Sequence, residues 1–96
     1  MDKSETCLTC DAPNVTKTGE TDASISFDWD GVFGASAYIL RYYREEDDYT
    51  SSDVFPTNSE YTWSNLPGGS YTFYFITRCG SETSSSFIVI DDIAGT

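Results

Sequence analysis

Three cysteines, sixteen carboxylates and no histidine set the chemistry open to this 96-residue chain. Cys7-Leu8-Thr9-Cys10 has the spacing of half a zinc site. A closed tetrahedral site needs four ligands, and Cys79 alone does not complete one when no imidazole is available. The same C-x-x-C pattern serves a thioredoxin-like redox centre only beside a βαβ unit, and no helix is in prospect here. A disulfide is the remaining use of these thiols, and with three of them one stays odd. No metal and no cofactor is expected.

The carboxylates gather as Asp28 with Asp30, Glu45 through Asp48, and Asp91 with Asp92. Glycoside hydrolysis needs two carboxyl groups flanking a cleft, one of them held protonated near neutral pH. Clusters on the turns of a small domain stay solvated and ionised, so neither partner would act as an acid. Glu45-Glu46-Asp47-Asp48 offers oxygen ligands to Ca²⁺, but it lacks the alternation and central glycine of an EF-hand. As a hairpin turn it is more simply a solvated loop that discourages edge pairing. Without histidine the usual base for a Ser or Cys nucleophile is missing, and no serine stands in a G-x-S-x-G elbow. Pro67-Gly68-Gly69 lacks the lysine and helix of a phosphate loop. The chain reads as a non-enzyme.

Bulk composition narrows the partners. The net charge of −11 repels phosphate backbones and anionic headgroups, so nucleic acid and membrane surfaces are disfavoured. No run approaches the ~20 apolar residues of a membrane span, and Met1 to Glu5 carries no apolar signal region. Aromatics make up 16% of the chain, which sets it apart from disordered sequences. At this length one core and one domain are expected.

The elements that must carry these residues alternate with period two. Ile25, Phe27 and Trp29 form one face of a run, and Tyr38, Leu40 and Tyr42 form one face of Ala37–Arg44. Tyr61 and Trp63 alternate with Glu60 and Thr62; Tyr71, Phe73, Phe75, Thr77 and Cys79 alternate with Thr72, Tyr74, Ile76 and Arg78. Ser86–Ile90 is a short apolar run, and the ranges 14–17 and 48–55 read as edge strands. Gly and Pro punctuate the gaps at Asp30-Gly31, Pro56 to Ser59, Pro67-Gly68-Gly69 and Cys79-Gly80. Roughly seven short strands with regular turns indicate an all-β, antiparallel, immunoglobulin-like sandwich. We place a lead segment at 1–11, the sandwich at 12–92 and a tail at 93–96. The expected core is Ile25, Phe27, Trp29, Tyr38, Leu40, Tyr42, Trp63, Leu66, Tyr71, Phe73 and Phe75.

Three of these stretches resemble the fibronectin type III family. Ser24-Ile25-Ser26-Phe27-Asp28-Trp29 is similar to its B strand, ending in the core tryptophan. Ala37-Tyr38-Ile39-Leu40-Arg41-Tyr42 is similar to its C strand. Leu66-Pro67-Gly68-Gly69-Ser70-Tyr71-Thr72-Phe73 resembles the corner leading into strand F. The Leu-to-Tyr spacing is one residue shorter than in the commonest animal pattern, and resembles versions in secreted bacterial proteins, often of the Bacteroidetes. The resemblance runs from about Ala12 to Ile90. Related modules imply a Cys10–Cys79 disulfide, joining the start of the first strand to the end of strand F. Cys7 is then free, paired elsewhere or competing for Cys10. Such a bond implies an oxidising compartment, hence an extracellular or cell-surface location.

If the named core residues point inward, Ile39, Arg41 and Tyr43 lie beside Tyr74, Ile76 and Arg78 on the outer face. Aromatics and arginine are enriched at binding hot spots, so Arg41, Tyr43, Tyr74 and Arg78 are candidate partner-binding residues. Their simpler role is cross-strand packing, or a face covered by a neighbouring domain. The functional expectation is a non-catalytic spacer or interaction module of a larger secreted or surface protein, monomeric in isolation. The alternative is a dedicated adhesin domain whose outer face binds a glycan or protein.

Overall fold

The computed structural model describes residues 10–95. Eight strands follow one another: β1 (Val15–Glu20), β2 (Ile25–Trp29), β3 (Ala37–Arg44), β4 (Tyr49–Thr50), β5 (Glu60–Trp63), β6 (Gly69–Cys79), β7 (Glu82–Thr83) and β8 (Phe87–Ile93). Period-two runs rich in aromatic and β-branched residues suit a pleated surface buried on one side. Their inward residues are buried and their outward ones wetter, as in β2, where Ile25, Phe27 and Trp29 are buried, Ser26 is half-buried and Asp28 is exposed.

The strands form two antiparallel sheets. One has the order β1-β2-β5; in the other, β4, β3 and β6 lie side by side, and both β7 and β8 pair with β6. β6 is the central strand of its sheet. It holds β3 in unbroken register from Ala37↔Arg78 to Arg44↔Tyr71, and β8 from Gly69↔Ile93 to Phe75↔Phe87.

Between the sheets lies a slab of interlocked rings. Phe27 stands 5.1 Å from Phe73 and 4.9 Å from Phe75 by centroid, and Trp63 stands 5.1 Å from Phe73. Trp29 lies towards the β2–β3 loop, meeting Tyr38 at 5.2 Å and Phe75 at 5.8 Å, mostly edge to face. Edge-to-face contacts place the positive rim of one ring on the negative face of another, adding about 0.5–1.5 kcal/mol per pair to area burial.

Ten of the eleven expected core residues are buried, and Trp29 is 5% exposed. Tyr42 is the correction. It is half-buried at the slab's margin, packed edge-on to Trp63 and Tyr71 with Tyr49 beside it. Its phenol keeps a wet side because the two-residue β4 is too short to cover it. Val15, Ile76, Ile93 and Thr77 are buried as well. The edge strand expected over 48–55 is only β4 plus an isolated bridge, Leu40↔Val54. The last strand begins at Phe87 and extends to the buried Ile93, past the boundary expected at 92.

Candidate interaction surface

The outer face of the larger sheet holds the residues with binding chemistry, and its register fixes who sits beside whom. Ile39 faces Ile76, Arg41 faces Tyr74, Tyr43 faces Thr72, and Ala37 faces Arg78. On the other flank of β6, Ile88 faces Tyr74 and Ile90 faces Thr72. One row therefore runs Arg41, Tyr74, Ile88, and the next Tyr43, Thr72, Ile90.

Three of the four candidate side chains are engaged within the domain. The Arg41 guanidinium grips Asp53 through two bonds, Nε to Oδ1 at 2.7 Å and Nη2 to Oδ2 at 3.3 Å. This paired charge raises Arg41 further above its ordinary value and holds the Asp53 carboxyl below the usual range. The Tyr43 hydroxyl donates to Asp48 Oδ1 at 2.5 Å, and that carboxylate raises the phenol's pKa. Asp48 can reach there because it turns the β3–β4 connection with φ of 52°. Arg78 Nε donates to the Gly80 carbonyl at 3.1 Å. Tyr74 is half-buried between Arg41 and Ile88. The structure thus brings Arg41 and Tyr74 together, sets Tyr43 one row along, and leaves Arg78 at the β6–β7 turn.

Ile88 and Ile90 were not singled out in the sequence, although they are the large apolar residues most exposed on this face, at 52% and 76%. The signal was present: Phe87, Val89, Asp91 and Ile93 continue one face of an alternation, leaving Ile88, Ile90 and Asp92 on the other. Reading the segment as a short continuous apolar run concealed it.

The carboxylate clusters do not converge. Among the described residues, no group of three or more His, Cys, Asp or Glu side chains could hold a metal ion. Glu46 accepts the Ser70 amide at 3.0 Å, which lowers its pKa. Asp91 is raised by burial, but the Lys17 ammonium at 2.8 Å and the Asp92 amide outweigh this and hold it low. An acid catalyst requires a shift in the opposite direction. No described helix is long and apolar enough to cross a membrane.

The two ends of the sandwich are fastened differently. At one pole Cys10 is bonded to Cys79, with Cα atoms 5.9 Å apart, within the ordinary range for a disulfide. Cys7 lies outside the described residues. At the other pole the Tyr71 hydroxyl donates to the Pro67 carbonyl at 2.5 Å, and the Arg44 guanidinium donates to the Gly68 carbonyl. Gly69 adopts φ of 154°, and a Cβ there would fall 2.5 Å from Glu46 Oε1. A Cβ on Gly68 would sit 2.6 Å from the Ala94 carbonyl oxygen. The glycine pair therefore lets the corner close against both the β3–β4 turn and the departing chain.

No protein-family model and no curated protein sequence matches the chain. Solved structures do. The fibronectin type III domain of the human collagen alpha-1(XX) chain superposes with a TM-score of 0.80 at 18% identity, covering 99% of this chain and 95% of that one. The fold is a fibronectin type III sandwich. A redesigned β-sandwich protein gives a TM-score of 0.76 at 18% identity, over 92% of this chain and 94% of its own. The twitchin kinase region of C. elegans gives 0.73 at 15% identity, over 92% of this chain and 17% of that one. At these identities the fibronectin type III likeness is one of fold, and none of the three points to a bacterial source.

Proposed function

We propose that this chain is a non-catalytic spacer and interaction module of a larger extracellular or cell-surface protein. The observation that supports this most directly is where the chain enters and leaves. Cys10 is tied to the end of β6 beside the β2–β3 loop, whereas Ile93 pairs with Gly69 at the opposite pole. The long axis of the domain is 56 Å. Entry and exit at opposite poles suit domains strung in series. The disulfide favours an oxidising setting, and carboxyl groups held below their ordinary values disfavour acid catalysis. The sequence likeness to secreted bacterial modules favours attachment to a polysaccharide-acting or adhesive parent.

Fusing a reporter protein to each end tests the reading. The melting transition should stay within about 3 °C, and scattering should place the reporters at opposite ends of the 56 Å body. Reporters side by side, or a domain that unfolds when extended, would refute it.

A second reading, a glycan- or protein-binding domain using Arg41, Tyr43, Tyr74 and Arg78, draws on the adjacency of Arg41 and Tyr74. The internal bonds of Arg41, Tyr43 and Arg78 weigh against it, since a ligand would have to displace them.

A further inference from the structure

A sheet's border strands are open templates for another chain unless something blunts them. Here those strands differ sharply. β1 breaks register between Lys17 and Gly19, and all its residues after Val15 are exposed. β4 has two residues, and β5 has four, beginning with Glu60. β8 has seven residues, Phe87-Ile88-Val89-Ile90-Asp91-Asp92-Ile93, without Pro, Gly or Lys. It keeps unshifted register with β6 along its whole length, and among the described strands it pairs with β6 alone. Its one inward charge, Asp91, is balanced by Lys17. The border strand with the highest β-propensity is thus also the least protected.

Its solvent side is apolar as well, with Ile88 and Ile90 exposed and Asp92 following them. Charge narrows the occupant. Each described cation is engaged at home: Lys17 with Glu20 and Asp91, Arg41 with Asp53, Arg44 with Asp47, and Arg78 with the Gly80 carbonyl. A second copy of this chain would bring another −11 of like charge to the edge. We propose that β8 is a strand-addition site, pairing through its free edge with an extended protein segment that sets aliphatic side chains beside Ile88 and Ile90 and Lys or Arg beside Asp92. In this mode main-chain hydrogen bonds supply affinity and alternate side chains supply selectivity. The inference goes beyond the spacer reading, which concerns the two poles and requires no open edge.

The probe is a blocked nonapeptide, Thr-Lys-Thr-Val-Thr-Val-Thr-Lys-Thr, whose Val and Lys side chains share one face as Ile88, Ile90 and Asp92 do, compared with a twin of equal charge whose valine amides are N-methylated. Amide-resolved NMR on the full chain should show slowed exchange confined to 87–93. The twin should bind at least tenfold more weakly because it cannot complete the ladder. The Ile88→Thr/Ile90→Thr variant, which keeps β-propensity and charge, should also lose about tenfold in affinity with its melting transition little changed. Equal binding of both peptides, changes centred on Glu45 to Asp48, absence of binding at millimolar peptide, or a protein homodimer abolished by the same variant would each overturn the proposal. The peptide comparison decides even if the variant folds poorly.

Discussion

Replacing Cys10 and Cys79 together by serine is a perturbation whose size can be worked from the fold. The bond spans a sequence separation of 69. In the chain-entropy model, closing such a loop removes about 15 cal/mol/K from the unfolded ensemble, or about 4.4 kcal/mol at 25 °C. Unfolding entropy near 2.1 cal/mol/K per residue gives about 0.2 kcal/mol/K for this 96-residue chain. The quotient is a fall in Tm of about 20 °C, which would leave a typical small domain marginal. The competing pairing, Cys7 with Cys10, closes a loop of only a few residues and is worth about 2 kcal/mol, or under about 10 °C. Magnitude therefore separates the two connectivities. Thermal melts followed by circular dichroism would compare wild type with the double variant and with Cys7→Ser, alongside non-reducing peptide mapping. A drop under about 8 °C, or an equal drop in Cys7→Ser, would refute both the assigned pairing and the entropic account of it.

Two further outcomes follow from the corner at the far pole and from the paired carboxylates. Tyr71→Phe removes the bond to the Pro67 carbonyl while keeping the ring, and should cost about 1–2 kcal/mol, seen as a loss of about 5–10 °C in Tm; an unchanged Tm would show that the corner does not depend on that bond. On acidification, Asp53 is held low by Arg41, Glu46 by the Ser70 amide, and Asp91 by Lys17 and the Asp92 amide against its burial. Folded values below unfolded ones give stability that is present above about pH 4 and lost as the pH falls through the folded values. Tm should hold from pH 7 to about 5 and fall below about 4, and a Tm still rising towards pH 3 would show that relief of the −11 charge dominates instead.

The inner half of the fold was legible because it obeys one rule. Ile25, Phe27, Trp29 and Tyr71, Phe73, Phe75 alternate strictly, and a strand buried on one face must do so. The margins were harder. Tyr42 continues the inward pattern of β3, yet its burial depends on what covers it, and the polar 48–55 stretch carries no mark of where pairing stops. The outer face was half legible. Alternation assigned Arg41, Tyr43 and Tyr74 to it, but not that Asp53 and Asp48 fold back to occupy two of them. Those carboxylates sit on irregular connections whose paths no periodicity encodes. At β8 inward and outward residues are both apolar, so composition masked the alternation that separates Val89 from Ile90.

That masking has a physical counterpart. A strand apolar on both faces is ordinarily a buried central strand, but among the described strands β8 pairs on one side only. The domain already has seventeen-per-cent-exposed Arg44 closing its far corner and Lys17 bridging β1 to Asp91 of β8, so its described cations hold the fold together rather than guard this edge. What remains around Ile88 and Ile90 is surplus negative charge and unscreened aliphatic surface. Anionic partners are repelled from it and copies of the same chain repel one another, while a cationic segment gains from both the field and the contact. The same imbalance that keeps an open edge from self-association selects what can pair with it.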